Sequence, residues 1–396
     1  MGPLFWVSAA MLGYIFAGYP ALVALRARFR PCRLWRTRGR LPRFSVVMIA
    51  YNEERNIRRK LENIARVGGM ELAERIFVAL DGSSDRTVEE VYGWIREART
   101  SEEEPRRAVA DRIQVVQFPR RRGKPAVIND IVRQCEGEVV VFMDVRQELD
   151  TWALRELLSD FADREVNVVS GELVFRRCQS PSAARGVTAY WRYEKAIRRW
   201  ESASGSVPGA TGALYAVRRE MVPHVPGDIL PDDVYIPMKA TENGGRCVLE
   251  PRARIYDDAA EHFAEEEVRK RRTLAGNLQL ALREPTWMLP GGHAWWWRFL
   301  SHKILRLTCP LWLLMALFVS AVEADRPAYA LALAAQAAFY TAAGMGLFLS
   351  SRGGRCPAIL AVPAVTLSFN FVIVRAFSDY WRGRIRVTWE RANTGA

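Results

Sequence analysis

Ile76-Phe-Val-Ala-Leu80 and Val139-Val-Val-Phe-Met143 are short apolar runs, and each is followed at once by an aspartate, Asp81 or Asp144. A β-branched and aromatic run that is bounded by polar turn residues predicts a buried strand of a mostly parallel sheet. Ligands of such sheets bind outside the carboxyl ends of the strands. The two aspartates therefore predict a site for a hydroxyl-rich ligand or a bound cation.

Strand and helix patterns alternate along residues 44–165. Strands are predicted at 44–49, 76–80, 112–118 and 139–143, and helices are predicted up to about 66 and at 87–95, 124–135 and 151–163. This alternation predicts an α/β fold with a parallel, doubly wound sheet and right-handed crossovers. A fifth strand at 167–175 is a candidate to extend the sheet. The charged stretch 96–112 is predicted to be a solvated surface loop.

Four stretches of the chain contain no charged residue. They are residues 3–25, 307–322, 327–351 and 356–374. A helix needs roughly 20 residues to cross a hydrocarbon core of about 30 Å, so the first and third are long enough. The second is marginal, and the fourth contains Pro357 and Pro363. The alternative for each is a buried core helix, but the four together predict an integral membrane protein.

A basic block follows the first apolar stretch. Residues 26–43 contain eight arginines, and no acidic residue occurs before Glu53. The positive-inside bias predicts such a block on a cytoplasmic flank, which places the N-terminus outside and the next domain in the cytoplasm, at the inner or plasma membrane. A cleaved signal peptide is not expected, because the basic residues follow the apolar stretch. Binding of nucleic acid is not expected either, because no aromatic-interleaved or helix-turn-helix pattern accompanies the block.

Six parts are predicted along the chain. They are a transmembrane helix at 1–25, a basic cytoplasmic linker at 26–43, a cytoplasmic domain at 44–290, an interfacial amphipathic helix at 293–306, three membrane segments at 307–377 and a tail at 378–396. Three adjacent tryptophans beside Arg298, Lys303 and Arg306 suggest the interfacial helix. The alternative is a core-facing aromatic cluster.

The topology of the last segment is left open. Four full crossings from an outside N-terminus would put the basic residues Arg382, Arg384, Arg386 and Arg391 outside, against the positive-inside bias. Segment 356–374 is therefore the candidate for a re-entrant or interfacial helix. The six cysteines have no close pair, which predicts reduced thiols and neither a zinc site nor a disulfide framework.

Four polar clusters carry the predicted chemistry. They are Tyr51-Asn52-Glu53-Glu54, Asp81-Gly82-Ser83-Ser84-Asp85, Asp144-Val145-Arg146-Gln147 and Asp232-Asp233. A carboxylate at a strand end, such as Asp144, can hold a divalent ion that bridges phosphates. Arg121, Arg122 and Lys124 can donate hydrogen bonds to phosphates. Each cluster alone is also compatible with a turn or a surface charge. A site is indicated because all the clusters fall in register on one predicted sheet.

Together these clusters resemble the inverting family 2 glycosyltransferases, which have the A-type nucleotide-sugar fold, a Rossmann-like and mostly parallel sheet. The resemblance spans roughly 44–280 and rests on Ser45–Glu54 and Asp81–Asp85. It is strongest to the membrane-embedded polysaccharide-synthase branch, which makes cellulose, chitin, hyaluronan and poly-N-acetylglucosamine. It implies that a nucleotide sugar, with a UDP-sugar expected, is bound by Tyr51, Glu53, Asp81, Lys124, Asp144 and Arg146.

One motif departs from the family pattern. The usual Asp-x-Asp is Asp144-Val145-Arg146 here, so an arginine replaces the second carboxylate. Asp144 can still bind a metal together with the diphosphate, or Arg146 can neutralise the diphosphate itself. We expect the first alternative, with Mg²⁺ or Mn²⁺ as the cofactor.

The resemblance also implies catalytic and acceptor residues. Asp233 would be the general base, with Asp232 as its neighbour, and the two roles exchange if the register of the motif differs by one residue. Two adjacent carboxylates raise one pKa by repulsion, which suits proton abstraction. A surface turn is the alternative. Thr211 and Gly212, within Gly209–Tyr215, would contact the acceptor. Arg272 would bind the leaving diphosphate; a basic surface helix is the alternative for this stretch. Thr273 occupies the position at which the family has a tryptophan that stacks on the acceptor sugar.

The predicted protein is thus a membrane-bound inverting glycosyltransferase that acts on a saccharide or lipid-linked acceptor, with a role in polysaccharide synthesis. Membrane lipids and a further subunit or second copy are the expected partners. One alternative is a single-sugar transferase for a polyprenyl phosphate or a glycolipid. Another is a transporter with a nucleotide-binding domain, although the apolar stretches lack paired broken helices and acidic residues.

Overall fold

The computed structural model describes residues 1–37, 39–176, 183–257, 263–352, 356–385 and 388. The strands are β1 Phe44–Ala50, β2 Ala73–Asp81, β3 Ile113–Phe118, β4 Val139–Met143, β5 Glu148–Leu149, β6 Val166–Phe175, β7 Leu214–Arg218 and β8 Arg246–Asp257. The helices are α1 Gly2–Gly13, α2 Tyr19–Phe29, α3 Ile57–Ala65, α4 Thr87–Arg99, α5 Glu104–Arg112, α6 Lys124–Val132, α7 Ala153–Ser159, α8 Ala183–Ala203, α9 Asp232–Ala240, α10 Phe263–Arg283, α11 Trp296–Arg298, α12 Cys309–Val322, α13 Pro327–Ser351 and α14 Ala358–Trp381.

The described strands form one sheet in the order β3-β2-β1-β4-β7-β6-β8-β5. Strands β3, β2, β1 and β4 are parallel, β7 is antiparallel to both of its neighbours, and β6 is parallel to β8. The predicted α/β class with a mostly parallel sheet is confirmed. Strand β6 is the predicted fifth strand.

Both faces of the sheet are covered by apolar layers. Val46 and Met48 of β1 face one core cluster, which contains helices α3, α4, α5 and α7, whereas Val47 faces the other, which contains α6 and α9. Side chains alternate between faces along a strand, so a strand that is buried on both faces is apolar throughout. This explains why the predicted strands are continuous apolar runs.

The prediction of a surface loop at 96–112 is wrong. Helix α4 continues to Arg99, and α5 runs from Glu104 to Arg112. Ala98, Val109 and Ala110 are buried in the core, so this charged stretch has an apolar face. The prediction failed because charged residues dominate the composition of this stretch and outnumber the few small residues that pack on the sheet.

Four described helices are long and apolar enough to cross a membrane: Gly2–Phe29, Trp296–Val322, Pro327–Ser351 and Ile359–Trp381. They overlap the four predicted segments, although the second begins at Trp296 and not at residue 307, and Pro363 lies inside the last one. Arg386 and Arg391 of the predicted basic tail lie outside the described residues, as does Cys178. The other five cysteines are free thiols.

Residues 296–306, part of the predicted interfacial helix, are helical but irregular, and they continue into the candidate span that ends at Val322. The three-residue α11 is followed by a π-helical turn, Phe299–Ile304, and a 3₁₀ turn, Leu305–Thr308. Arg298 is 2% exposed and donates to the Ser204 carbonyl over 2.7 Å, and Arg306 pairs with Glu194. Arg298 and Arg306 therefore bind a carbonyl and a carboxylate of α8 and its end. The position of this segment at the membrane interface stays a prediction.

Candidate active site

Asp81 ends β2 and fixes the next loop of the site. Its Oδ1 accepts a hydrogen bond from the Arg122 backbone N–H over 2.7 Å, and its Oδ2 accepts one from the Gly123 N–H over 2.9 Å. Asp81 is only 3% exposed. Gly82 has φ +66°, and any side chain there would collide with the Arg121 backbone. Asp81 therefore holds the loop that leads into α6, whose first residue is Lys124.

The loop after β1 lies against the turn after β2. The Asn52 backbone N–H donates to Ser83 Oγ over 3.2 Å, and the Ser84 N–H donates to Asn52 Oδ1 over 2.9 Å. The Arg121 guanidinium lies 3.7 Å from the centre of the Tyr51 ring. These contacts join three loops at the carboxyl edge of the sheet, the edge at which the sequence predicts a site.

Glu53 and Arg146, both predicted to bind the nucleotide sugar, contact each other. Arg146 Nε donates to Glu53 Oε1 over 2.9 Å, and Asn56 Nδ2 donates to Glu53 Oε2 over 2.7 Å. Glu53 is 7% exposed. The arginine that replaces the second carboxylate of the motif thus has a buried carboxylate as one partner.

Lys124 connects two of the predicted carboxylates. Its Nζ lies 3.0 Å from Asp232 Oδ2 and 3.4 Å from Asp144 Oδ1. Burial lowers the pKa of Lys124, but Asp144, Asp232 and Asp233 outweigh it, so the pKa lies above its usual value. The ammonium group is therefore charged throughout the physiological pH range. The Tyr215 hydroxyl also donates to Asp232, over 3.5 Å.

Asp233 is the second residue of α9 and lies half-buried beside the turn Gly209–Gly212. Burial and the adjacent Asp232 raise the pKa of Asp233 to about 6, with Asp144 adding to the rise and Lys124 and Lys303 opposing it. A Cβ atom on Gly212 would lie 3.0 Å from Asp233 Oδ2. Glycine is thus the residue that lets this carboxylate approach the turn closely.

Thr211, predicted to bind the acceptor, has partners within the protein. Its Oγ1 accepts from Arg198 Nη1 over 3.0 Å and lies 3.2 Å from Ser170 Oγ. Its backbone N–H donates to the same Ser170 Oγ over 2.9 Å. The Thr211 hydroxyl therefore anchors the turn that carries Gly212.

Arg272 lies near the carboxylates. Burial lowers the pKa of Arg272, and Arg121 adds to this, while Asp232, Asp233 and Asp144 oppose it. Thr273 is exposed, and its hydroxyl donates to the Arg269 carbonyl over 3.1 Å. Next to Arg272, Arg271 pairs with Asp379 of α14 over 3.0 Å, so this basic stretch also binds α10 to a candidate membrane helix.

A metal site was predicted at Asp144. The described residues contain no group of three or more histidine, cysteine, aspartate or glutamate side chains that could hold a metal ion. The Asp144 side chain is 43% exposed at the end of β4. Mg²⁺ is commonly held by one or two carboxylates with substrate phosphates as the remaining ligands. An exposed single carboxylate fits that mode of binding.

Sequence analysis assigned no role in the site to Lys60, Ser170, Arg198 or Lys303. Lys60 is 1% exposed, and its Nζ donates to the Gln147 carbonyl over 2.7 Å. Burial lowers the pKa of Lys60 to about 7, although Asp144 and Glu148 oppose this. Its place on the apolar face of α3, between Ile57 and Leu61, was a usable signal. We found no sequence signal for the other three.

Known protein families and structures were compared with this chain. The family model "Glycosyl transferase family 2" matches residues 45–225, and "Glycosyl transferase family group 2" matches residues 139–348. The mannosyltransferase PcManGT from Pyrobaculum calidifontis, solved with GDP-Man and Mn²⁺, has a similar fold: the match has a TM-score of 0.72 and 20% identity, and it covers 96% of this chain and 100% of that one. TarS 1–349 from S. aureus, solved with UDP-GlcNAc, matches with a TM-score of 0.42 and 15% identity over 86% of this chain and 91% of that one. No curated protein matches the chain.

Proposed function

This chain belongs to glycosyl transferase family group 2, and from that premise we propose that it is a membrane-bound, inverting enzyme. It transfers a sugar from a nucleoside-diphosphate sugar to a saccharide or lipid-linked acceptor. Membership of a transferase family favours this function over that of a transporter. The four apolar helices and the basic segment 26–43 support a membrane protein whose catalytic domain lies on the cytoplasmic side.

The observation that carries the proposal is the environment of Asp233. Its carboxylate lies beside Gly212, and its pKa of about 6 is set chiefly by burial and by Asp232. A general base works best when its pKa lies near the operating pH, because it is then both deprotonated and basic enough to accept a proton. Lys124 and Arg272 put positive charge near the same carboxylates.

The proposed reaction is a single displacement. Asp233 takes the proton from an acceptor hydroxyl, whose oxygen attacks the anomeric carbon from the face opposite the diphosphate. The bond between that carbon and the diphosphate oxygen breaks, and the electron pair leaves with the nucleoside diphosphate. Lys124 and Arg272 stabilise the negative charge that develops on the leaving group. Attack from the opposite face inverts the anomeric configuration.

Asp144 would hold a divalent cation together with the diphosphate. The bound cation would supply positive charge for the leaving group. The presence of Mn²⁺ in the PcManGT structure, which shares this fold, supports the proposal. We expect excess chelator to abolish transfer and added Mg²⁺ or Mn²⁺ to restore it. Undiminished activity in chelator would instead assign the neutralisation of the diphosphate to Arg146.

The acceptor distinguishes two versions of this function. The family resemblance favours synthesis of a polysaccharide. Thr273, in place of an acceptor-stacking tryptophan, favours transfer of one sugar to a polyprenyl phosphate or glycolipid. Membranes that contain the protein and a labelled nucleotide sugar would yield a ladder of products in the first case and one lipid product in the second.

The central test uses purified protein and a panel of UDP- and GDP-sugars, with release of the nucleoside diphosphate as the readout. We expect one donor to be consumed. Asp233→Asn should abolish transfer while the affinity for the nucleotide stays close to that of the wild type. Asp228→Asn is the matched control, because Asp228 is 62% exposed and pairs with Arg283. Retained transfer in Asp233→Asn would refute the assignment of the base.

A further inference from the structure

Helix α8 lies between the catalytic residues and the candidate membrane helices. Tyr193 donates to the Phe16 carbonyl over 2.8 Å, and the Tyr190 ring lies 4.4 Å from the Phe369 ring, centre to centre. Glu201 accepts a hydrogen bond from Tyr19. Phe16 and Tyr19 belong to the first candidate span and Phe369 to the last. One side of α8 is thus bound to two membrane helices.

Arg198, on the same helix, binds the acceptor-side turn. Its Nη2 donates to Ser170 Oγ over 3.1 Å and to the Gly209 carbonyl over 3.4 Å, and its Nη1 donates to Thr211 Oγ1 over 3.0 Å. Ser170 is fully buried on β6. One planar guanidinium therefore joins α8, β6 and both ends of the segment from Gly209 to Thr211.

The turn Gly209–Gly212 also contacts Asp233, the proposed general base. The Ala210 N–H donates to the Asp233 carbonyl over 2.7 Å. A Cβ atom on Gly209 would lie 3.4 Å from that carbonyl, and one on Gly212 would lie 3.0 Å from Asp233 Oδ2. The turn therefore lies directly against Asp233. A displacement of the turn would therefore displace the carboxylate that accepts the proton.

We propose that Arg198 is a positioning residue for sugar transfer: it holds the turn Gly209–Gly212 against Asp233 and so sets the position of the base relative to the acceptor hydroxyl. This inference rests on the proposed function. A lysine cannot replace Arg198, because its ammonium group is a compact point charge and lacks the planar fork that spans two hydroxyl oxygens. The arrangement also makes the base dependent on a helix that contacts the membrane segments.

The test compares Arg198→Lys with Arg199→Lys. Arg199 is the next residue of α8 and donates to Glu172 over 2.9 Å, so its replacement changes the same helix without touching the turn. We expect kcat for transfer to fall about 10- to 100-fold in Arg198→Lys, since misplacement of a reacting group by about 1 Å can cost 10²-fold. The KM for the nucleotide sugar should not change, and Arg199→Lys should behave like the wild type.

A double-mutant cycle separates positioning from general loss of structure. Thr211→Val removes one acceptor of Arg198, and the combination with Arg198→Lys should cost little more than Arg198→Lys alone, because the two changes remove one shared interaction. If the double variant instead loses kcat by the product of the two single losses, the proposal is overturned. If Arg198→Lys does not fold, Ser170→Ala tests the same contact and should lower kcat while the donor KM is retained.

Gly212→Ala changes the position of the Asp233 carboxylate without changing Arg198. The added methyl group must displace the Asp233 carboxylate, so kcat should again fall while the donor KM stays unchanged. Gly227→Ala, where a Cβ meets open space, is the control.

The proposal fails if Arg198→Lys matches Arg199→Lys in kcat while Asp233→Asn is inactive. An active Asp233→Asn would instead overturn the proposed function itself, so the two failures are distinguishable.

Discussion

At the scale of single residues, the charges around Asp233 set the pH range in which it could act as the proposed general base. Burial and Asp232 raise the pKa of Asp233, whereas the positive charges of Lys124 and Lys303 lower it. The value of about 6 is a compromise between these effects. Since the base must be deprotonated to accept a proton, activity should fall as the pH drops through this value.

The pH profile tests this balance. In the wild type, kcat/KM should decline on the acid side with an apparent pKa near 6. Lys303→Met removes a charge that favours the deprotonated form of Asp233, so the acid limb should move to higher pH. Lys195→Met is a suitable control because Lys195 pairs with Glu172, over 3.2 Å. An acid limb that stays in place or moves to lower pH would contradict the assignment.

At the scale of elements, the site depends on loops that are fixed by backbone hydrogen bonds. The carboxylate of Asp81 binds two N–H groups of the loop before α6, and Gly123 has φ +88°, a conformation that favours glycine. The loop thus delivers Lys124 at the start of α6, opposite Asp144 and Asp232. Asp81 acts on the site through this loop, and its predicted contact with the nucleotide stays a prediction.

Asp81→Asn tests the role of the loop. Asparagine offers one acceptor oxygen, and its amide would face a backbone N–H, so we expect a loss of about 1–3 kcal/mol of stability. The midpoint of thermal unfolding should fall, and the donor KM should rise because Lys124 is less well positioned. Asp111→Asn, at a side chain that is 69% exposed, is the control. Equal unfolding midpoints and equal donor KM values in both variants would contradict the prediction.

At the scale of the whole molecule, a buried polar network joins the first candidate span to the catalytic domain. Glu201 of α8 accepts hydrogen bonds from Tyr19 and lies 2.8 Å from His302 Nδ1, and Tyr19 also packs with Val23 and Ile197. Burial raises the pKa of Glu201, but His302, Tyr19 and Arg298 outweigh it, so the pKa lies below its usual value. The ionised carboxylate therefore stabilises the junction.

Glu201→Gln should lower the midpoint of thermal unfolding in detergent at neutral pH. Because the pKa of Glu201 is lower in the folded state, its contribution is complete above the pKa of the unfolded chain and is lost as the pH falls through the folded value. The difference from the wild type should therefore shrink in acid. Glu220→Gln, at an exposed carboxylate, is the control. A variant that is as stable as this control at neutral pH would show that the network is dispensable.

The predicted part of the fold depends on local patterns. Apolar runs predicted β1, β2 and β4 because strands that are buried on both faces exclude polar residues. The same logic failed at 96–112, where small buried residues such as Ala98 and Ala110 are outnumbered by charges. The location of Asp81, Lys124 and Asp144 at one edge of the sheet was predictable because strand ends and helix starts bring them there. Their roles stay predictions.

Patterns along the chain were therefore enough to indicate the sheet, the apolar segments and a cluster of carboxylates at the carboxyl edge of the sheet. Partners were not predictable in this way. Arg198 is one of 57 basic residues, and nothing in its immediate sequence marks it as the partner of Thr211 and Ser170. Glu201 and Tyr19 are 182 positions apart. Such contacts depend on how α8 packs on the sheet and on the candidate membrane helices, because a hydrogen bond requires two groups within about 3 Å and only the folded chain brings distant residues that close.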